Sequence, residues 1–253
     1  MTQRAIAVVN QKGGVGKTTT AINVAAQLAT DKHSVLLVDL DPQGNATSGL
    51  GLPKEKARKT TYDVLVGGAQ LASSVVETHV NGLFVLSANA NLAGAEVELV
   101  GQREREFALK KALESATYDF IIIDCPPSLG LLTINALTAA NSVLIPVQTE
   151  YYALEGLSQL LSTIQAVRGS TNPHLELLGI ALTMYDKRNS LSEQVQAEVK
   201  NYFGDKLLDT IIPRNVRLAE APSHGRTIYE HDRWSKGARA YKALAKEIAS
   251  RAS

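Results

Sequence analysis

The run Asn10-Gln11-Lys12-Gly13-Gly14-Val15-Gly16-Lys17-Thr18-Thr19 combines glycines, lysines and hydroxyls at a spacing suited to holding a chain of phosphates. It directly follows an apolar stretch of strand length and precedes a helix-length segment beginning near Thr18, the context such a loop requires. Glycines at 13, 14 and 16 let the backbone curl until successive N–H groups converge on anionic oxygens, and the helix N-terminus adds its positive end. Lys17 then meets the β- and γ-phosphates of a nucleotide, and Thr18 offers a hydroxyl to Mg2+. The expected nucleotide-binding set from this loop is Lys12, Gly13, Gly14, Val15, Gly16, Lys17, Thr18 and Thr19.

Two further segments supply carboxylates. In Val38-Asp39-Leu40-Asp41-Pro42-Gln43-Gly44, alternation along an extended chain puts Asp39 and Asp41 on one side, so both can face a metal ion and an attacking water. Phe120-Ile121-Ile122-Ile123-Asp124 is an apolar strand ending in one carboxylate, and Asp124 is the expected Mg2+ holder, through water. The neighbouring Cys125 has no second cysteine to work with, which makes it a buried small hydrophobe.

These groups must be positioned by a chain of 253 residues with 45% hydrophobic and 20% charged side chains, a composition that supports a full core and excludes general disorder. One domain spanning residues 1–253 is the expectation at this length. Lys+Arg 26 against Asp+Glu 25 leaves a formal charge of +1, so any nucleic-acid site must be a local patch. A single cysteine excludes a disulfide scaffold and points to the reducing cytoplasm. The first ten residues lack the pattern of a signal peptide, and no apolar run approaches the roughly 18 to 20 residues needed to span a bilayer.

Short β-branched runs alternate with amphipathic segments of helix length, the rhythm of a doubly wound α/β fold: a mostly parallel sheet with helices on both faces. Strands are expected at Ala5–Val9, Val35–Asp39, Leu83–Leu86, Phe120–Asp124, Val143–Val147, Leu177–Thr183 and Leu207–Ile212, with another near Val75. Leu157, Leu160, Leu161, Ile164 and Val167 recur at helical spacing, as do Leu191, Val195, Val199 and Tyr202 after a Ser190/Glu193 capping-box pair. The C-terminal face of Tyr241, Leu244, Ala245, Ile248 and Ala249 is half alanine, so docking on the protein's own sheet is expected over membrane attachment.

The loop departs from the strict G-x-x-x-x-G-K-[ST] pattern, with Gln11 at the first glycine position and an extra lysine, Lys12. In this K-G-G-x-G-K-T form it resembles the deviant Walker A motif of the ParA/MinD family, P-loop ATPases. The segments Asp41–Thr47, Asp124–Gly130, Glu150–Gly156 and Pro213–Pro222 look like chromosomal ParA proteins of the Soj type, so the likeness runs over almost the whole chain. The resemblance implies that Asp41 positions or activates the attacking water, with Asp39 in the outer shell of the metal. It also implies an ATP-bound homodimer in which Lys12 reaches the partner's phosphates and a bulky side chain at Gly13 blocks dimerisation. Pro213 and Asn215 are implied at the base, with Met184 nearby.

Arg188 and Arg217 are the implied contacts to non-specific double-stranded DNA, with Lys200, Arg233 and Lys236 as further candidates, since loop cations can meet backbone phosphates without reading sequence. No segment ahead of the first strand can hold a helix-turn-helix, so no operator recognition is expected. Two patches on one dimer would raise apparent affinity through effective concentration, which makes nucleotide the gate for DNA. The implied cycle is chromosome or origin partitioning: a ParB-type (Spo0J) centromere-binding partner stimulates a slow ATPase, and the protein is cytoplasmic and nucleoid-associated with no stable membrane association. The competing expectations are a MinD-like membrane-cycling ATPase positioning cell division, and a metabolic P-loop ligase or reductase, the latter disfavoured by the missing cysteine pair.

Overall fold

The computed structural model describes residues 3–54, 59–150 and 155–252. Among them, seven strands form one sheet: β1 (Arg4–Val8), β2 (Val35–Asp39), β3 (Val75–Glu77), β4 (Leu83–Leu86), β5 (Phe120–Asp124), β6 (Ser142–Gln148) and β7 (Glu176–Thr183). Their order is β3-β4-β2-β5-β1-β6-β7, all parallel except β3, which pairs antiparallel with β4 at one edge. The helices are α1 (Lys17–Thr30), α2 (Asn45–Gly49), α3 (Thr61–Leu65), α4 (Leu92–Val100), α5 (Ala108–Leu113), α6 (Leu131–Ala139), α7 (Glu155–Arg168), α8 (Ser190–Phe203), α9 (Val216–Glu220), α10 (Ile228–Asp232) and α11 (Lys236–Arg251).

Alternation along the central strands builds two cores. Ala5, Ala7, Ile121 and Ile123 face one way, toward α3 to α8, while Ile6, Val8, Phe120 and Ile122 face the other, toward α1, α2 and α9 to α11. Both sets are fully buried, as parallel strands covered on both faces must be. The register Asp39↔Asp124 and Val8↔Asp124 brings the C-terminal ends of β2, β5 and β1 side by side, where ligands bind in open α/β sheets.

The C-terminal helix behaves as its composition implies. Tyr241, Leu244, Ala245 and Ile248 are buried against α1 and the sheet, and no helix among the described residues is long and apolar enough to cross a membrane.

Three expectations need correction. Leu207–Ile212 is not a ladder strand: it follows β7 only through isolated bridges at Ile180↔Leu207 and Tyr185↔Pro213. The N–H groups of Asp209 and Thr210 donate instead to the Glu247 carboxylate on α11, at 2.9 Å each, which breaks the pairing midway. The N-cap of α8 is Asn189, whose Oδ1 accepts from Leu191 N at 3.0 Å, so the Ser190/Glu193 capping box does not form. Tyr202, expected on the α8 packing face, is exposed, because the face continues from Val199 to Phe203, four residues on, which is half-buried against the core.

Candidate functional site

The loop between β1 and α1 is shaped by its glycines and held by remote hydrogen bonds. Gly14 (φ 76°) and Gly16 (φ 89°) occupy the left-handed region, and Gly16 caps α1. Asn10 anchors the entry: its Nδ2 donates to Pro146 O on β6 at 2.7 Å, and its Oδ1 accepts from Lys12 N at 2.9 Å. Thr183 at the end of β7 donates to Val15 O at 2.8 Å, fixing the far side. At the start of α1, Thr20 is hydrogen-bonded to the buried Tyr241 hydroxyl at 3.1 Å.

The two lysines are placed differently. Lys17 is only 7% exposed, and its ammonium donates to Lys12 O across the mouth of the loop at 2.9 Å. Burial pulls its pKa down, opposed chiefly by Asp124. Lys12 lies at the rim with its side chain 43% exposed, ion-paired to Glu150 just past β6. Residues 151–154 of the Glu150–Gly156 segment lie outside the described residues.

The carboxylates converge but differ in what satisfies them. Asp39 is fully buried, and its Oδ2 accepts from Thr47 N (2.8 Å) and Thr47 Oγ1 (2.7 Å), while Oδ1 accepts from Asp41 N (3.2 Å). Burial nevertheless pushes its pKa up to about 6. These bonds make Asp39 the anchor of the loop that carries Asp41, a role that residue spacing does not disclose. Asp41 accepts from Gln43 N at 2.9 Å and is nearly buried at the mouth.

Asp124 is also fully buried, and neither of its oxygens has a hydrogen bond of good geometry. Burial first, and then the nearby Asp39, raise its pKa well above the ordinary carboxylate range, against the pull of the Thr18 hydroxyl and the Lys17 ammonium. Such an orphaned carboxyl fits a hydrated divalent cation. The described residues hold no group of three His, Cys, Asp or Glu side chains able to cage a metal alone, so phosphate oxygens and waters would complete the shell, as is usual for Mg2+. Cys125 is buried with its thiol pKa raised well above normal, mainly by burial, which leaves it unreactive.

Next to the loop lies a cavity of about 400 Å3 whose lining includes Gly16, Thr19, Met184, Pro213, Asn215 and Tyr241. Pro213 and Asn215 therefore sit together with the end of the phosphate loop, although nearly 200 residues separate them in sequence. Asn215 caps α9, its Oδ1 accepting from Arg217 N at 3.0 Å, which leaves its amide N–H groups as the side chain's remaining hydrogen-bonding capacity.

A second cavity, of about 750 Å3, is lined by Lys187, Arg188, Arg214, Lys236 and Arg239 against two carboxylates, Asp186 and Asp209. Arg188 is largely exposed and paired bidentately with Asp186, at 3.0 and 2.8 Å. Arg217 lies on α9, paired with Glu220 at 2.8 Å and facing Asp232 at 3.8 Å. Asn10, Thr47, Thr183 and Arg239 act through contacts between distant segments, and Tyr241, expected only on a packing face, also reaches the start of α1 through Thr20; no local motif marks these roles.

Strand-end carboxylates, a glycine loop opening a helix and an adjacent base-sized cavity, on a sheet of this order, define a P-loop ATPase of the deviant Walker A kind. A family model described as an AAA domain matches residues 3–177. The chain is 58% identical over 247 residues to the sporulation initiation inhibitor protein Soj of Bacillus subtilis, covering 97% of this chain and 98% of that one. It is 52% identical over 252 residues to the chromosome partitioning protein ParA of Caulobacter vibrioides, covering 98% and 94%. The solved structure of cobyrinic acid a,c-diamide synthase from Mycobacterium smegmatis with bound ADP and magnesium superposes with a TM-score of 0.85 at 42% identity, covering 97% and 93%. The chain belongs to the ParA/Soj family of chromosome-partitioning ATPases.

Proposed function

We propose that this ATPase is a nucleotide-gated dimer that binds double-stranded DNA without sequence preference and releases it on hydrolysis, in partnership with a ParB-type (Spo0J) protein. The observation that carries the reading is the unequal placement of the two lysines. Lys17 is buried in its own loop, whereas Lys12 stands at the rim with its side chain 43% exposed, free to exchange Glu150 for a phosphate on a facing subunit. Gly13 supports the same reading: a Cβ there meets nothing within 4 Å, so the single subunit has no need of glycine for space, and close approach of a second copy supplies one.

Within each subunit, the backbone of residues 13–16 and Lys17 bind the phosphates, Thr18 and Asp124 would hold Mg2+, and Pro213 and Asn215 border the base of ATP. When bound, the ion neutralises charge developing on the phosphate oxygens. Asp41 orients or deprotonates the attacking water, and Asp39 acts one step removed, fixing the loop that carries Asp41. Burial of the whole cluster excludes stray water and strengthens these interactions.

Arg188 and Arg217 meet backbone phosphates, with Arg214, Lys236 and Arg239 in the adjoining cationic groove. Two such faces on one dimer bind a duplex far better than one, so ATP gates DNA and hydrolysis resets it. The whole of residues 1–253 works as one unit in this scheme, in the cytoplasm and on the nucleoid, with slow turnover that the partner accelerates. The burial of the apolar face of α11 weighs against the membrane-cycling alternative, because that face is not free to insert. Co-sedimentation with duplex DNA or with anionic liposomes under ATP, ADP and no nucleotide tests the choice. Retention on DNA with ATP alone supports it, and retention on liposomes instead refutes it.

A further inference from the structure

Trp234 is the chain's single tryptophan and it is 75% exposed, the largest apolar side chain among the few that the described residues leave in solvent. It sits in the short turn between α10 and α11, one residue before the helix cap Ser235 and two before Lys236, which lines the cationic groove. Asp232 ties this turn to the other proposed DNA contact. Its Oδ1 accepts from Trp234 N at 3.1 Å, while its Oδ2 lies 3.8 Å from Arg217 Nε. The turn that carries the indole is thus linked to Arg217 through Asp232 and runs directly into Lys236 of the cationic groove. The Arg233 guanidinium lies 4.9 Å from the ring centroid, covering part of the ring with positive charge.

We propose that Trp234 is the aromatic element of the duplex-binding face, inserting against the minor groove or a base step while the surrounding cations hold the phosphates. This deepens the DNA reading above and rests on it. A ring wedged at a base step contacts whichever bases it parts, so it adds affinity with little sequence preference, and apolar wedges between base steps are a recognised device of duplex binders. The charge around the ring suits any polyanion, and the lack of an amphipathic face beside it favours nucleic acid over lipid. Arg217, Arg233 and Lys236 adjoin its turn, Arg233 stacks on it, and the neighbouring helix has already spent its apolar face on the core.

Having only one tryptophan makes the test direct. Duplex DNA is titrated into the full-length Asp41→Ala protein in Mg-ATP while Trp234 emission is followed and binding is measured in parallel by sedimentation; anionic phosphatidylglycerol vesicles form a second arm. The expected result is quenching that tracks DNA binding, with no response to vesicles. Trp234→Ala should weaken binding about tenfold, the loss of roughly one base–aromatic stack, with Trp234→Phe recovering most of it. Because the indole carries no charge, Trp234→Ala should leave the slope of log affinity against log salt unchanged, whereas Lys236→Ala should shallow it by about 0.9. DNA binding with unchanged emission, equal affinity of Trp234→Ala, or a blue shift on vesicles alone would overturn the inference. Failure of every variant to bind duplex would overturn the proposed function as well, which separates the two.

Discussion

Thr47→Val is the substitution whose consequences the structure specifies most fully. Thr47 Oγ1 donates to Asp39 Oδ2 at 2.7 Å and accepts from Ala88 N at 3.0 Å, and all three residues are completely buried. Valine keeps the shape and removes the hydroxyl. The Ala88 N–H is then left unsatisfied, and Asp39 retains two donors of its three, Thr47 N and Asp41 N. An unpaired buried donor costs about 1–3 kcal/mol and a lost bond to a charged group a similar amount, so a net loss of about 3 kcal/mol is expected. For a chain of this length that lowers Tm by roughly 6–12 °C. The loop carrying Asp41 loosens with it, and ATP turnover should fall more than ATP binding does.

The sign of the pH dependence is fixed by the same bonds. Thr47 stabilises the ionised form of Asp39, whose pKa burial has pushed up to about 6 from an ordinary 3.8. The charge-dependent part of the penalty should be full well above pH 6 and smallest below about 6. It should shrink as pH falls toward about 6 because Asp39 of the variant, without the hydroxyl, takes up its proton at a higher pH than in the wild type. Thermal denaturation and steady-state ATPase assays of Thr47→Val, with Thr47→Ser as the variant that keeps the hydroxyl, check both points. Equal Tm and equal turnover for the two variants would refute the anchoring role.

Other substitutions separate the parts. Lys17→Ala should abolish productive ATP binding by calorimetry, since the proposed reading assigns the phosphates to this buried ammonium. Asp41→Ala should bind ATP and persist as dimers on DNA because water attack fails; normal turnover would remove the catalytic assignment. Gly13→Val should leave the subunit's unfolding free energy within about 1 kcal/mol of wild type, as a Cβ has open space there, yet block ATP-dependent dimerisation in sedimentation velocity. Arg217→Glu should spare dimerisation and lose DNA in a low-salt gel shift; unchanged retention would show that Arg217 is occupied by Glu220 and Asp232 alone.

The phosphate loop and the two strand-end aspartate segments were legible in the sequence because their chemistry is local: glycines, lysines and carboxylates stand within a few residues of the strand that aims them. The alternating layers were legible for the same reason, each strand being a short apolar run. What escaped was set by contacts between distant segments. Nothing in Asn10 announces a bond to Pro146, and Thr47 gains its role only when β2, α2 and the end of β4 meet. Leu207–Ile212 has strand composition, but the Glu247 carboxylate, more than 30 residues later, captures the N–H groups a strand would need. The apolar spacing of α8 admits either Tyr202 or Phe203 as its last member, and the fold turns Phe203 to the core and leaves Tyr202 exposed. The resemblance placed Asn215 at the base; the fold adds that its amide oxygen is committed to capping α9.

The central claim is that ATP joins two subunits through Lys12 and that only the joined pair holds DNA. Sedimentation velocity of Asp41→Ala in saturating Mg-ATP, with and without a labelled duplex, measures both at once. The account predicts a dimer with ATP that carries the duplex, and a monomer without DNA when nucleotide is absent or Lys12 is replaced by alanine. A monomer in saturating Mg-ATP, or equal DNA binding by the nucleotide-free protein, would contradict it.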